Sequence, residues 1–527
     1  MTCIIAYDIG TTGSKTCLYS AEQGNLTLLS SVSAGYGLTL TESGGVEQQV
    51  DDWWDSMCRS TGKVLAESGV APGDVTGVSF CSQMQCLVLV DERGKPVRPA
   101  MSYMDKRGAE LFESWRKGPL QIAGVTIGKL LTSLSETGVV AASGKDPVFR
   151  YGYVREHEPE AFRRVKKWLD AKEALIVRAT GRFVMSEDSA FATFLYNPKK
   201  RAWSLKTARL HGVNPDHLPE VIRSTDPVGP LTKEAAGELG LTENAVVYAG
   251  GGDSSLIGIG CGAARLGDTH VYIGTSGWVS TVVDKQMVDV SAMIASIVGA
   301  VSGRYNYFAE METAGKSFEW AREQLCLDTV GIYPRKTDVV ETGDAPSVLA
   351  YMDRIAGEVP AGSGGVLFTP WLLGNRCPFE DASCRSIFFN VGLGTTKAQL
   401  IRAVYEGVLY HAAWMYEQQG KKAALSGTVR IAGGGAKSDL VCQMLADILG
   451  KPVQRTASPQ NAGALGACVT AAVGMGLMAD YDAASALLPV EVTFTPDPAR
   501  HQVYQTYYAA FKLLYKKNKS LFAMLNQ

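Results

Sequence analysis

The chain has little histidine, almost no net charge and no long apolar run, and each shortage removes a class of function. Six His are dispersed over 527 residues, and eleven Cys stand without a CxxC spacing. No zinc ligand set is spelled out by that pattern. The Cys, among them Cys81, Cys86, Cys377 and Cys384, read instead as reduced, mostly buried, small apolar side chains of a cytoplasmic protein. A formal net charge of −2 excludes nucleic acid or an anionic membrane surface as an expected partner. The basic runs at residues 163–167 and 516–519 read as solvated helix faces. The opening apolar run, Ile4 to Tyr7, stops at Asp8 and is too short for a signal peptide. Residues 462–479 carry no charge but are mostly Ala and Gly. They are too weakly hydrophobic for a membrane span and read as a buried helix.

Two nucleotide fingerprints are also missing. A P-loop needs a strand, GxxxxGK[ST] and a helix. Gly315-Lys316-Ser317 ends like one, but Glu310 stands where the first Gly is required, and Gly144-Lys145 is followed by Asp146. No GxGxxG follows a strand in the opening segment, so a dinucleotide fold is not indicated.

What is present is a length suited to two large domains or three small ones, with 46% hydrophobic and 20% charged residues. Residues 2–9 are rich in β-branched side chains and read as a buried strand. Gly10, Thr11, Thr12 and Gly13 form a turn, and a second strand follows from Ser14. Half a chain later the pattern returns: Gly274, Thr275, Ser276 and Gly277 sit between β-rich flanks. Repetition at half-length predicts two similar halves, each opening with strand, Gly/Thr loop, strand. Val246 to Ala249 is a short strand entering Gly250-Gly251-Gly252-Asp253, and residues 254–262 suit a buried helix or turn. Val429 to Ala432 is a strand entering Gly433-Gly434-Gly435-Ala436-Lys437, before a helical spacing at Leu440, Met444, Leu445 and Ile448. The last twenty residues read as an amphipathic helix whose aromatic stripe is core.

Small-residue loops offer backbone N–H groups and hydroxyls to anions, and one such loop per half could grip a polyphosphate from both sides. Lys15 could add a cation. The plain alternative is a tight hairpin turn. Asp8, at the end of the first strand, could help hold hydrated Mg²⁺. Asp253 could accept the proton of an attacking hydroxyl. For either Asp the alternative is a turn or N-cap residue.

Over most of its length the chain resembles the FGGY carbohydrate kinases, and is closest in motif to the xylulokinase-like members. DIGTTGSK at 8–15 is similar to the family's first phosphate loop, GGGDSS around Asp253 to its catalytic aspartate segment, and YIGTSG at 272–277 to its second phosphate loop. Gln83-Met84 and Asp105-Lys106-Arg107 resemble the sugar-side strand and loop. GGVLFTPWLLGNRCPFED at 364–381 looks like the C-terminal signature, and AGGGAKSDLVCQMLADILGKPV from Ala432 like the adenosine motif.

The resemblance implies an α/β protein of two actin-like (ribonuclease H-like) domains, residues 1–264 and 265–527, with the active site in the cleft between them. It implies ATP and Mg²⁺, and a small sugar or polyol as acceptor. Asp253 would be the base and Asp8 the metal-side carboxylate. Gly10, Thr11, Thr12, Lys15, Gly274, Thr275 and Ser276 would hold phosphates, and Gly433, Gly434, Gly435, Ala436 and Lys437 the adenosine. Gln83, Met84, Asp105 and Ser254 would line the sugar pocket. The sequence departs from the xylulokinase pattern at Gln85 and Ser254, where His and Asn are usual. It departs from the family pattern at Asn375 and Gln460, where Glu is usual. The first two departures bear on the substrate, which the motifs leave open among pentuloses such as xylulose, other polyols (glycerol, erythritol), ribulose and gluconate. Two rivals remain: an acyl kinase on the same fold, disfavoured by the 364–381 signature, and a nucleotide-switched, non-catalytic actin-fold protein, disfavoured by the intact Asp253. A homodimer is left open.

Overall fold

The computed structural model describes residues 2–22, 24–122, 124–326 and 348–526. The chain divides into two compact units: Met1–Ala264 with Ile297–Asn306 and Asn461–Leu488, and Arg265–Ser296 with Tyr307–Gln460 and Pro489–Gln527. The division therefore differs from two contiguous halves, because two segments from beyond residue 264 complete the first unit.

In the first unit Cys3–Ile9, Gly13–Glu22 and Asn25–Gly35 form an antiparallel meander. Val75–Ser82 lies parallel to Cys3–Ile9 on its other side, Val246–Tyr248 is parallel to Val75–Ser82, and Pro227–Pro230 adds an antiparallel edge. All seven residues of Cys3–Ile9 are buried, which requires apolar cover on both faces. The period-two alternation supplies it. Cys3, Ile5, Tyr7 and Ile9 join a core with Val50, Trp53, Trp54 and Met57 of helix Val50–Ser68. Ile4 and Ala6 join another with Ala464, Ala467, Cys468 and Ala471 of helix Ala462–Gly474. That Ala/Gly helix is the uncharged stretch noted in the sequence. Its small residues let it lie close to helix Asp253–Gly260: a Cβ on Gly260 would stand 1.9 Å from the Ala462 carbonyl oxygen, and one on Gly466 1.9 Å from that of Leu256.

The second unit repeats the plan. Its eight-stranded sheet runs, in spatial order, Val288–Asp289, Ile294–Val298, Tyr305–Met311, Gly277–Val283, Thr269–Ile273, Val429–Ala432, Val453–Arg455, Val492–Phe494. Thr269–Ile273 is antiparallel to Gly277–Val283 and parallel to Val429–Ala432, which is parallel to Val453–Arg455. The Val492–Phe494 edge is antiparallel. Helix Lys397–Gly420, started by a Thr396/Gln399 capping box, is largely buried. The terminal helix Pro498–Leu525 buries Tyr504, Tyr508, Phe511 and Leu514.

One expectation is corrected. Residues 163–167 are not a helix face: helix Pro159–Arg163 ends there and strand Lys167–Leu169 begins. The Lys167 ammonium donates to the carbonyls of Asp216 and Leu218 at 2.7 and 2.8 Å. Among the described residues no helix is long and apolar enough to cross a membrane.

Candidate active site

In the first unit three parallel strands end at one edge, and the chain leaves each through a loop. In an open α/β sheet this edge is where ligands are received. Asp8 pairs in register with Cys81, and Cys81 with Gly251. With strands spaced about 4.8 Å apart, the Asp8 and Gly251 backbones are about 10 Å apart. The buried Cys81 thiol has its pKa pushed well up by burial first, then by the Asp8 and Asp253 carboxylates.

Asp8 is 8% exposed. Its Oδ2 lies 3.5 Å from the Lys15 ammonium, so part of Lys15's charge is spent on Asp8. Gly463 also packs against this carboxylate: a Cβ there would come within 2.7 Å of Oδ2. The adjoining loop is closed by Gly10 N–H to Gly13 C=O at 3.0 Å. The Tyr36 hydroxyl donates to the Gly10 carbonyl, and the Gln48 amide to that of Thr11 at 2.8 Å. The same Gln48 accepts from Gln83 Nε2 at 2.9 Å, while Gln83 N–H donates to Ile9 C=O at 2.8 Å. Gln83 Oε1 is a buried acceptor with no partner among the described residues.

Asp253 opens helix Asp253–Gly260 and is half-buried, and its Oδ1 accepts the Ser254 N–H at 2.8 Å. The glycines before it are forced. Gly250 has φ 66°, and a Cβ there would lie 2.1 Å from the Phe80 carbonyl oxygen. At Gly252 a Cβ would meet Met84 Sδ at 2.1 Å. Ser254 Oγ donates to the same sulfur at 3.1 Å. Met84, Ser254 and Asp253 are thus brought together.

Asp105 is placed differently. It is fully buried, accepts Val46 N–H at 2.9 Å, and takes the Arg107 guanidinium at 2.6 Å. Arg107 also reaches Glu47 at 2.6 Å. With its oxygens engaged by protein, Asp105 braces the loop rather than lining a pocket. Gln85 holds φ 62°, unusual for a residue with a side chain. Its N–H and that of Cys86 donate to Asp170 at 2.8 Å each, and Arg150 donates to the Gln85 carbonyl. Burial, then Glu173, push the Asp170 carboxyl up to about 7, although the backbone N–H groups of Ala171 and Cys86 pull it down.

The second unit presents the matching edge. Thr269–Ile273 and Val429–Ala432 are parallel and run out into Gly274 and Gly433. Gly274 N–H closes on Ser276 C=O at 3.0 Å, and the Gly274 carbonyl accepts Gly315 N–H at 2.7 Å. The Tyr272 ring fills the space over both loops. A Cβ on Gly274 would be 2.4 Å from its hydroxyl oxygen, and one on Gly433 3.0 Å from its ring. Gly433 has φ 96°, and a Cβ on Gly435 would strike Ile273 at 2.4 Å, whereas Gly434 faces open space. Lys437 is exposed. Ala436 is fully buried and its carbonyl accepts from Arg455 at 3.0 Å, so its side chain serves the loop's own packing. Asn375 donates to the carbonyls of Cys377 and Phe379 at 3.0 and 2.8 Å. An ionised Glu could not make either bond.

Sequence reasoning missed Gln48, Tyr36, Asp170, Gly463 and Asp188, whose carboxylate accepts the Gly252 N–H at 2.7 Å. None of them carries a chemical signal of its own, and each acts through contacts distant in sequence.

Two family models cover most of the chain: the N-terminal domain of the FGGY family of carbohydrate kinases matches residues 3–260, and the C-terminal domain residues 270–475. A xylulose kinase of Staphylococcus epidermidis is 27% identical over 532 residues, covering 99% of this chain and 98% of its own. A gluconokinase of Bacillus subtilis is 25% identical over 513 residues, covering 95% and 93%. Among solved structures, a xylulose kinase from Lactobacillus acidophilus superposes with TM-score 0.83 at 23% identity, over 99% of this chain and 100% of that one. The fold is therefore that of kinases built from two actin-like domains. The chain belongs to the FGGY family of carbohydrate kinases, and it is a sugar phosphotransferase.

Proposed function

We propose that the protein transfers the γ-phosphoryl group of ATP to a hydroxyl of a small neutral keto sugar, with D-xylulose the first choice. The observation that carries this reading is the grouping of half-buried Asp253 with Met84 and Ser254 at the strand-end edge that also presents Gln83. Asp253 takes the proton of the attacking hydroxyl. Gln83 Oε1 is an acceptor awaiting a donor, and a sugar hydroxyl is one. The xylulose kinases among the relatives support the substrate class. Gluconokinases also stand among them, but Gln83, Met84 and Ser254 are uncharged and Arg107 is held by Asp105 and Glu47. A sugar acid would find no guanidinium free in that group.

The loops at Gly10, Thr11, Thr12 and at Gly274, Thr275, Ser276 receive phosphate oxygens: the Gly10 and Gly274 N–H groups close the loops, and the Thr and Ser residues offer N–H groups and hydroxyls. Gly433, Gly434 and Gly435 receive the adenosine, with Gly434 leaving the approach clear and Lys437 exposed beside it. Asp8 fits Mg²⁺, which is commonly held by one or two carboxylates together with waters and phosphates. Bound there, Mg²⁺ would neutralise charge on the transferred phosphoryl group. The Lys15 ammonium, 3.5 Å from Oδ2, orients the Asp8 side chain.

The test is a coupled ADP-release assay on D-xylulose, D-ribulose, glycerol and D-gluconate, with wild type and Asp253→Asn. A ketopentose should give the highest kcat/KM, and Asp253→Asn should lower kcat by about 10²–10⁴-fold. Near wild-type kcat in that variant removes the base assignment. Preference for gluconate removes the neutral-sugar reading.

A further inference from the structure

Three consecutive glycines precede Asp253, and glycine has the greatest backbone freedom of any residue. A base carried on such a segment needs something outside it to fix the chain. One side is held by the sheet, where Gly251 and Gly252 pair with Cys81 and Ser82. The other is held by a carboxylate. Asp188 is 1% exposed, and its Oδ2 accepts the Gly252 N–H at 2.7 Å. A Cβ on Gly251 would lie 2.9 Å from that oxygen, so this close approach is one that glycine allows.

The carboxylate is itself fixed from behind. Oδ1 accepts the Ser189 N–H at 2.9 Å and the Ser186 hydroxyl. The Ser186 oxygen accepts from the Lys172 ammonium at 2.7 Å. Lys172 also donates to Ser189 Oγ at 2.9 Å and pairs with Glu173. Lys172, Glu173, Ser186 and Ser189 are all buried. A buried polar chain of this kind costs stability relative to apolar packing unless every member is satisfied. Here it runs from the first turn of helix Ala171–Thr180 to the peptide adjoining Asp253.

We infer that Asp188 is the positioning residue of the Asp253 carboxylate: it fixes the Gly252 peptide and, through it, the first turn of the helix that Asp253 opens. Ser186 and Lys172 orient Asp188 in turn. The inference rests on the reading of Asp253 as the base.

Asp188→Ala removes the acceptor of Gly252 N–H, and a misplacement of about 1 Å at a reacting group can cost 10²-fold. Its kcat should fall by about 10–100-fold with the KM for ATP unchanged. Asp188→Asn keeps an oxygen for Gly252 N–H but sets its amide N–H against the Ser189 N–H, so it should recover kcat in part and lie between Asp188→Ala and wild type. In an Asp253→Asn background, Asp188→Ala should lower the residual rate no further. A purely structural role would lower the melting temperature and leave kcat per folded molecule intact, so wild-type kcat in folded Asp188→Ala overturns the inference. Should that variant not fold, Ser186→Ala leaves the carboxylate and its Ser189 N–H bond but removes the hydroxyl that donates to Oδ1. A reduced kcat at constant KM is expected there, and an unchanged kcat overturns the inference equally. If Asp253→Asn itself keeps wild-type kcat, it is the base reading that fails.

Discussion

Asp170 is a single carboxylate on which the sugar-side turn depends. It caps helix Ala171–Thr180 by accepting Ala171 N–H at 2.8 Å, and it also holds the N–H groups of Gln85 and Cys86. Its folded pKa is about 7 against an ordinary 3.8, so the folded chain binds this proton more tightly than the unfolded chain does. The linked stability is fully present below about 3.8 and is lost as pH rises through about 7. Asp170→Asn should therefore flatten the fall of melting temperature between pH 4 and 7. It should also lower stability by about 1–3 kcal/mol at every pH through N–H groups left unpaired. A titration of melting temperature checks both, and an unaltered slope would show that Asp170 does not carry the linkage. The local sequence, Asp170-Ala171-Lys172-Glu173, marks it as a helix N-cap but not as the holder of Gln85 and Cys86. Asp8 and Asp253 were legible because each sits at a strand end beside glycines, whereas Asp170 reads as an ordinary N-cap and Asp188 as an ordinary first-turn helix residue, and both matter through partners 84 and 64 positions away. Asp105 was legible as a motif and misread as a contact, since a motif shows which residue is needed but not which way it faces.

At the scale of elements, helix Ala462–Gly474 connects the two carboxylates of the first unit. Gly463 lies against Asp8, and three residues on, Gly466 lies against the backbone of the helix that Asp253 opens. Residues three apart share a helix face, so one face of small residues sets both distances. The sequence showed that this stretch was apolar, small and buried. It could not show what it was buried against, because the partner strands lie at the other end of the chain. Gly466→Ala places a Cβ 1.9 Å from the Leu256 carbonyl oxygen, a backbone atom that cannot rotate aside. The substitution should destabilise the protein by about 1–3 kcal/mol or more, as overpacking does, and should lower kcat because the helix of Asp253 must shift. Equilibrium denaturation with a parallel rate measurement checks this. A variant as stable and as active as wild type would mean that the two helices are not in this contact.

Across the whole molecule, both sheets share a core of five strands in the same order, Asn25–Gly35, Gly13–Glu22, Cys3–Ile9, Val75–Ser82 and Val246–Tyr248 in one matching Tyr305–Met311, Gly277–Val283, Thr269–Ile273, Val429–Ala432 and Val453–Arg455 in the other, which adds Ile294–Val298 and Val288–Asp289 beyond Tyr305–Met311. Each also has an antiparallel strand beyond the fifth, Pro227–Pro230 in one unit and Val492–Phe494 in the other. The repeat was visible in the sequence only as two Gly/Thr loops, since buried strands constrain burial and not identity. The interleaving of the chain was not visible at all. Residues 461–488 follow the adenosine motif in sequence but complete the first unit. Arg304, in the other returning segment, pairs with Asp482 across 178 residues. Without Ala464, Ala467, Cys468, Ala471 and Ala472, the sheet face bearing Ile4, Ala6, Cys17 and Cys81 loses its cover. A fragment of residues 1–264 should therefore fail to melt cooperatively and should bind a hydrophobic dye, despite spanning a whole family-model match at 3–260. The same fragment joined through a flexible Gly/Ser linker to residues 461–488 should regain a cooperative transition, because burying that face again restores the apolar area that drives folding. A cooperative transition in the fragment without residues 461–488, at the temperature of the linked form, would mean that the helix only decorates a unit already able to fold.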